Sequence, residues 1–174
     1  MEQGCIQLYL GYGKGKTTAG LGQCLRAAGA GLRVAVYQFL KGSPTAELGP
    51  LETLGIPVVR TGEVKKFVRS MTPQELEECR RSHQRVFAQA ASACREGKYD
   101  LVMLDEVVDA MQMGLIDKQA LLALLREKPA ALELVLTGHE EDEDLICLAD
   151  YYSQMICKNH PYQRGLAARR GIEY

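Results

Sequence analysis

Short apolar runs alternate with segments of helical character along the chain. Six runs carry the β-branched, aromatic or continuously apolar residues that favour strands: Cys5–Leu10, Arg33–Leu40, Pro57–Arg60, Leu101–Leu104, Leu132–Leu136 and Tyr152–Lys158. Helical patterns lie between them, at Thr17–Ala30, near Leu51–Leu54, from Thr72 to Gly97, after Glu106, at Asp117–Lys128 and at Asp142–Ala149. Because strand–helix–strand units have right-handed crossovers, this alternation predicts an α/β fold, a mostly parallel sheet with helices on both faces.

The longest predicted helix begins with a clear capping signal. Thr72-Pro73-Gln74-Glu75 has the form of a capping box with proline at the first helical position. One face of this helix is formed by residues spaced three or four apart, Leu76, Cys79, His83, Val86, Phe87, Ala90 and Cys94. This position favours a packed histidine at His83 over a metal ligand.

The composition is that of an ordinary globular protein. The 174 residues predict a single domain, 1–174, with a C-terminal tail at 159–174, and the net charge of −1 excludes a globally basic nucleic-acid-binding protein. No apolar run reaches the roughly 18 residues of a transmembrane helix, and Met1–Gly4 lacks the basic start of a secretory signal. The six cysteines have no short metal-ligand spacing. We therefore expect a cytoplasmic protein with reduced thiols.

A glycine-rich turn joins the first predicted strand to the first helix. Glycines let backbone N–H groups turn inward around an anion, and the helix N-terminus adds unpaired donors. Lys16 would bind the terminal phosphates, and the Thr17 hydroxyl is suited to Mg²⁺. A turn with incidental lysines is the alternative to a phosphate loop. The predicted loop is one residue shorter than the standard pattern and consists of Gly11, Tyr12, Gly13, Lys14, Gly15, Lys16, Thr17 and Thr18.

Two carboxylates end the apolar run Leu101–Leu104. Asp105 and Glu106 follow it directly, as in a Walker B segment, and the carboxyl ends of parallel strands meet at one edge of the sheet. We expect at least one of the two acids to reach Mg²⁺, directly or through water.

Four ordered blocks of the sequence resemble the P-loop ATP:corrinoid adenosyltransferases. They are Gly11–Thr18 (GYGKGKTT), Gln38–Gly42 (QFLKG), Leu104–Ile116 (LDE…GLI) and the tail His160–Tyr174 (HPYQRG…AR.GIEY). The resemblance runs from about Ile6 to Tyr174, and the tail carries its most specific part.

The resemblance implies a P-loop NTPase-like (RecA-like) fold and an alkyl-group transferase of cobalamin biosynthesis. ATP would lie on Gly11–Thr18 in the reverse of the usual direction. Lys16, Thr17 and Glu106 would be the catalytic residues, with Mg²⁺ held by Thr17, Glu106 and Asp105. A Co(I) corrinoid would attack C5′ of ATP, giving an adenosylcorrinoid such as adenosylcobalamin and inorganic triphosphate.

The resemblance also implies partners. These are ATP, cob(I)alamin or a precursor corrinoid, a flavin-type reductase that supplies Co(I), and a second copy in a homodimer. No nucleic acid or membrane partner is expected.

The sequence departs from the family pattern at three places. Tyr12 replaces a common asparagine or small polar residue, and His139 replaces a usual arginine. The family's Phe-x-Trp element is not intact because the chain has no tryptophan, and Phe67 is the candidate that remains. Further candidate contacts to corrinoid or nucleotide are Phe67, Arg26, Lys41, His139 and His160. For Arg26 a solvated helix face is the alternative, and for His160 a turn beside proline.

Two other functions stay open on the sequence alone. A P-loop kinase or ATPase would release ADP and would use Glu106 to orient water or a hydroxyl group. A nucleotide-binding regulatory module that has lost catalysis is the second alternative, and the altered Phe-x-Trp element and His139 are the features that keep it open.

Overall fold

Six parallel strands form the centre of the computed structural model, which describes residues 2–62 and 68–173. In chain order the strands are β1 (Ile6–Leu10), β2 (Val34–Gln38), β3 (Val58–Arg60), β4 (Leu101–Asp105), β5 (Glu133–Thr137) and β6 (Tyr151–Gln154). Their order in the sheet is β3-β2-β4-β5-β1-β6. The predicted parallel sheet is confirmed.

In the described part of the chain, six α-helices connect the strands. They are α1 (Lys16–Gly29), α2 (Leu48–Thr53), α3 (Pro73–Arg95), α4 (Val107–Gln112), α5 (Lys118–Glu127) and α6 (Glu143–Leu148), with 3₁₀ turns at Val68–Ser70 and Pro161–Arg164. The capping box of α3 is present. The Thr72 hydroxyl accepts from the Glu75 N–H at 3.3 Å, and the Glu75 carboxylate accepts from the Thr72 N–H at 2.8 Å.

The two faces of the sheet are covered by different helices because side chains alternate along each strand. Val36, Met103 and Val135 pack with α1 residues on one face. Val102 and Leu134 belong to the larger core on the other face, with apolar residues of α3, α4, α5 and α6. The expectation of helices on both faces is confirmed.

Two strands are shorter than the sequence predicts. β2 ends at Gln38 rather than Leu40, because the left-handed backbone of Leu40 (φ 57°) turns the chain away from the sheet. β6 ends at Gln154 rather than Lys158. Its neighbour β1 stops at Leu10, where Gly11 (φ 115°) turns, so the ladder ends with the Met155 N–H, which donates to the Leu10 carbonyl oxygen at 2.7 Å.

All six cysteines are free, and Cys24 and Cys94 are buried as small apolar side chains. Among the helices that the structure describes, none combines the length and the apolar character needed to span a bilayer.

Candidate nucleotide and metal site

A cleft of about 680 Å³ opens at the carboxyl edge of the sheet. Ligands of open α/β sheets bind at this edge, where the loops after the strands meet. Three stretches of chain that are distant in sequence form most of its wall: 14–18 from the loop after β1, residues 40–43 and 45–47 after β2, and 171–173 from the tail. Glu106 and His139, at the ends of β4 and β5, and Leu21 of the helix after the loop complete the lining.

The phosphate-loop residues that line the cleft run from Lys14 to Thr18. Gly15 (φ 123°) is the N-cap of α1 and has no side chain to cap the helix, and the first turn of α1 contains no acidic residue. The helix N-terminus therefore presents N–H groups and partial positive charge to an anion. This arrangement agrees with a phosphate loop rather than an incidental turn.

The Lys16 side chain folds back onto the backbone of its own loop. Its ammonium group donates to the Gly13 carbonyl oxygen at 3.1 Å. Burial lowers the pKa of Lys16, and the nearby carboxylates of Asp109, Glu106 and Asp105 raise it in part. These contacts keep a positive charge next to the cleft.

The first part of the loop packs against protein rather than lining the cleft. The Gly11 N–H donates to the carbonyl oxygens of Gly138 and His139 at 3.2 and 3.0 Å, and the Gly13 N–H donates to the Met155 carbonyl oxygen at 2.7 Å. A Cβ atom at Gly11 or Gly13 would lie 2.5 or 2.7 Å from that Met155 oxygen. These two glycines are therefore needed for a close backbone approach, a role that the sequence analysis did not separate from phosphate binding.

Asp105 is fully buried at the end of β4 and accepts four hydrogen bonds. Its Oδ1 accepts from the hydroxyl groups of Thr17 and Thr137 at 2.9 and 2.8 Å. Its Oδ2 accepts from Gln38 Nε2 at 3.2 Å and from Lys41 Nζ at 2.5 Å. The aspartate thus joins the ends of β2, β4 and β5 to the first turn of α1, and it fixes the orientation of the Thr17 hydroxyl.

Glu106 faces the cleft from an uncommon backbone conformation. Its φ of 59° lies in the left-handed region, where non-glycine residues often mark functional sites. The Glu106 N–H donates to the Thr137 hydroxyl at 2.8 Å, which holds this turn to β5. Burial raises the pKa of Glu106, and the Lys41 ammonium at 3.6 Å lowers it in part.

Lys41 lies among the residues expected to hold Mg²⁺. Its ammonium is 2.9 Å from Thr17 Oγ1, 2.5 Å from Asp105 Oδ2 and 3.6 Å from Glu106 Oε1. The sequence analysis named Lys41 as a contact to corrinoid or nucleotide, and the structure places it on the cleft wall as well.

Two of the three departures from the family pattern, Tyr12 and His139, contact each other. The rings of Tyr12 and His139 lie 5.5 Å apart at 51°, and the Tyr12 hydroxyl bonds to Glu140. The buried Asp109 carboxylate accepts from the His139 N–H at 3.0 Å and lies 3.1 Å from His139 Nδ1. Tyr12 and His139 therefore form one unit beside the loop, which their separation in sequence does not reveal.

Two other described candidates do not line the cleft in this structure. Arg26 is exposed in the last turn of α1 beside Gln23. His160 caps a 3₁₀ turn, where its Nδ1 accepts from the Tyr162 N–H at 3.2 Å, as the turn alternative predicts. Phe67 lies outside the described residues.

The structure adds residues that the sequence analysis missed. The Thr137 hydroxyl donates to Asp105 and accepts from the Glu106 N–H, a role that its place just before Gly138 and His139 does not reveal. Gly171, Ile172 and Glu173 line the cleft, although the tail was noted only for its resemblance to the family. Hydrogen bonds from Arg169 lower the pKa of Glu173, and the positive charge of Lys14 adds to this effect.

The parallel sheet, the loop at the start of α1 and the acids at the end of β4 define a P-loop nucleotide-binding protein. The family model of the ATP:corrinoid adenosyltransferases BtuR/CobO/CobP matches residues 2–174. The chain belongs to this family.

Curated relatives resemble the chain over nearly its whole length. A corrinoid adenosyltransferase of Sinorhizobium sp is 32% identical over 99% of this chain and 81% of its own length. The corrinoid adenosyltransferase of Escherichia coli K12 is 31% identical and the corrinoid adenosyltransferase CobA of Salmonella typhimurium LT2 is 30% identical, each over 99% of this chain and 87% of its own length. The resemblance stated from the four motif blocks is confirmed.

Proposed function

We propose that this chain transfers the 5′-deoxyadenosyl group of ATP to the Co(I) centre of a corrinoid, with release of inorganic triphosphate. Membership of the family supports ATP-dependent adenosylation of corrinoids, an alkyl transfer. The cleft is the observation on this chain that supports the proposal. In it the shortened loop, Glu106 after β4 and the tail of the family signature line one cavity.

The chemistry needs no nucleophile from the protein. The electron pair of Co(I) forms the bond to C5′, and the C5′–O bond breaks with its electron pair leaving on the triphosphate. The protein therefore has to hold C5′ in line with the cobalt atom and stabilise the charge that grows on the leaving group. Lys16 and the N–H groups at the start of α1 are the groups of this chain that fit the second task.

The residues around Lys41 fit a magnesium site. A hydroxyl group and two carboxylates, from Thr17, Asp105 and Glu106, surround a single cation, the Lys41 ammonium, and oxygen ligands are those that Mg²⁺ prefers. Because both Asp105 oxygens already accept hydrogen bonds, Thr17 and Glu106 are the direct ligands that we propose, with Asp105 orienting Thr17. Bound there with ATP, Mg²⁺ would neutralise charge on the phosphates.

Other parts of the proposal rest on the family resemblance. We propose one domain over residues 1–174, a cytoplasmic location, a homodimer, and a flavin-type reductase that supplies Co(I). Cobalamin and its precursor cobyrinic acid diamide are the two corrinoid substrates to compare. Phe67 is the residue that we propose on the corrinoid side.

One product analysis tests the reaction. The protein is incubated with ATP, Mg²⁺ and chemically reduced cobalamin, or reduced cobyrinic acid diamide, and the products are separated by chromatography. Adenosylcorrinoid and triphosphate in equal amounts are the expected products. ADP would instead support the kinase or ATPase, and bound but unchanged ATP would support the regulatory module.

A further inference from the structure

The Lys41 ammonium occupies the place of a bound cation. It lies 2.5 Å from Asp105 Oδ2, 2.9 Å from Thr17 Oγ1 and 3.6 Å from Glu106 Oε1, and less than a fifth of its side chain is exposed. Among the ion pairs that the structure describes, Lys41 is the partner of both acids after β4. Lys41 thus neutralises carboxylates whose charge would otherwise be poorly solvated.

The backbone aims Lys41 at this place. The preceding residue, Leu40, has left-handed φ, and its N–H donates to His83 Nε2 at 3.2 Å. His83 is fully buried and is fixed in turn by a 2.8 Å contact between its Nδ1 and the Cys79 carbonyl oxygen. On the other side, the Phe39 N–H donates to the Asp105 carbonyl oxygen at 2.9 Å. The turn that carries Lys41 is therefore tied to both α3 and β4.

Lys41 and a divalent cation would use the same oxygen atoms. An ammonium group and a metal ion that share two carboxylates and a hydroxyl repel each other at contact distance, so the two cations exclude one another. Lys41 also lines the cleft together with Lys14 and Lys16. An ammonium that leaves the carboxylates thus has a second place available, next to the phosphates of a bound nucleotide.

We propose that Lys41 is a displaceable cation that couples metal binding to nucleotide binding. Without nucleotide, its ammonium holds the Thr17, Asp105 and Glu106 oxygens and keeps affinity for a free divalent cation low. With nucleotide, the ammonium moves to the triphosphate and leaves those oxygens to the metal. This inference rests on the ATP and magnesium part of the proposed function, and it does not depend on adenosyl transfer.

The test compares Lys41→Met with the unsubstituted protein in two binding measurements. The first is titration with Mn²⁺ alone, a spectroscopic probe for Mg²⁺, followed by the electron paramagnetic resonance signal of the free ion. We expect Lys41→Met to bind Mn²⁺ roughly tenfold more tightly, the effect of removing one neighbouring unit charge. The second is calorimetric titration with ATP at saturating Mg²⁺, in which Lys41→Met is expected to bind ATP more weakly.

The opposite direction of the two changes separates this role from a purely structural one. Lys14→Met removes a charge from the same cleft but none from the carboxylates, so it should weaken ATP binding without comparable tightening of Mn²⁺. Lys98→Met, remote and exposed, should change neither. Lys41→Gln keeps an N–H for Asp105 and gives the same comparison if Lys41→Met does not fold.

Two outcomes would overturn the inference. One is Mn²⁺ affinity that is unchanged or weaker in Lys41→Met, and the other is tighter Mn²⁺ binding with unchanged affinity for ATP. Neither measurement contains a corrinoid. Absence of adenosylcorrinoid from the product analysis would therefore overturn the proposed reaction and leave the role of Lys41 standing.

Discussion

Ionisable side chains at the cleft already have partners within the protein. Lys16 donates to the Gly13 carbonyl, Lys41 to Asp105, and His139 lies against Asp109. A ligand must exchange these contacts for its own, because a partly buried charge without a partner costs free energy. The chemistry of the site is therefore set at the level of single side chains.

Lys16→Ala tests the phosphate loop. The substitution removes the ammonium group that we propose as the counter-charge of the departing triphosphate. We therefore expect kcat/KM for ATP to fall about a hundredfold or more. Adenosylcorrinoid formation under reducing conditions measures the effect. Lys98→Ala is the matched control, since Lys98 is exposed and pairs only distantly with Glu96 at 4.0 Å. Undiminished activity of Lys16→Ala would remove the loop from the mechanism.

Because of the buried His83, we expect the free energy of unfolding of the protein to depend on pH. Burial lowers the pKa of His83 below its ordinary value of 6.5, and the ring accepts the Leu40 N–H in its neutral form. The unfolded chain therefore takes up a proton first as pH falls. The contribution of His83 is complete above pH 6.5 and declines below it, with a slope of at most about 1.4 kcal/mol per pH unit.

Urea unfolding at several values between pH 7.5 and 5 measures this dependence. Glutamine at position 83 keeps an acceptor for the Leu40 N–H but does not titrate. As the pH is lowered, the free energy of unfolding of His83→Gln should therefore decrease less steeply than that of the unsubstituted protein. His160→Gln removes a half-buried histidine far from His83 in sequence and controls for the loss of one imidazole. Equal slopes for His83→Gln and the unsubstituted protein would contradict the prediction.

At the scale of elements, the loop after β1 and the chain after β6 support each other. The Gly13 N–H donates to the Met155 carbonyl oxygen at 2.7 Å, and a Cβ atom on Gly13 would lie 2.7 Å from the same oxygen. Both contacts involve backbone, so neither segment can relieve a clash by a change of rotamer. The geometry of the loop thus depends on the last strand of the sheet.

Gly13→Ala should therefore disturb both segments. We expect a loss of about 1–3 kcal/mol in the free energy of unfolding, the usual cost of forcing extra volume into a packed site, together with weaker ATP binding. Gly22→Ala is the control, because a Cβ atom there meets nothing within 4 Å and alanine favours a helix interior. Equal stability and ATP affinity of the two variants would show that the Met155 contact is unimportant.

The elements that the sequence predicted well are those whose signals are local. The alternation of strands and helices, the capping box at Thr72 and the acids after Leu104 are all read from neighbouring residues. The predicted ends of β2 and β6 were wrong. The chain leaves β2 because the backbone turns at Leu40, and β6 ends because its partner β1 stops at Leu10. Neither cause is visible in the strands' own residues.

The features of the site that the sequence did not predict depend on contacts between distant segments. Thr137 joins Asp105 and Glu106 across the sheet, and the tail reaches the phosphate loop from more than 150 positions away. A hydroxyl at the end of a strand has no periodic signature, and the tail has little apolar patterning of its own. The resemblance to the family marked the tail as important, whereas its place in the cleft came from the structure.

At the scale of the whole molecule, the wall of the cleft is formed by three segments that lie outside the strands of the sheet. The loop 14–18 lies at the start of α1, residues 40–47 connect β2 to α2, and 171–173 belong to the exposed tail. A ligand that contacts all three adds interactions present only in the native state. Binding of nucleotide should therefore be visible as global stability.

Thermal unfolding with Mg²⁺ and ATP measures this linkage. At a nucleotide concentration about 100 times Kd the native state gains about 2.7 kcal/mol. For a chain of this size that gain corresponds to a rise in Tm of about 5–10 °C. Inorganic triphosphate should give part of the shift because it can occupy the loop, while AMP, which lacks the outer phosphates, should give little.

The same measurement tests the place of the tail. Removal of residues 171–174 takes away Ile172 and Glu173 from the wall of the cleft but no strand or helix of the core. The truncated chain should keep the Tm of the ligand-free protein and lose a large part of the shift with ATP. A full shift after truncation would mean that the tail contributes nothing to nucleotide binding. Because the tail is the most specific part of the family signature, its role would then have to lie with the corrinoid.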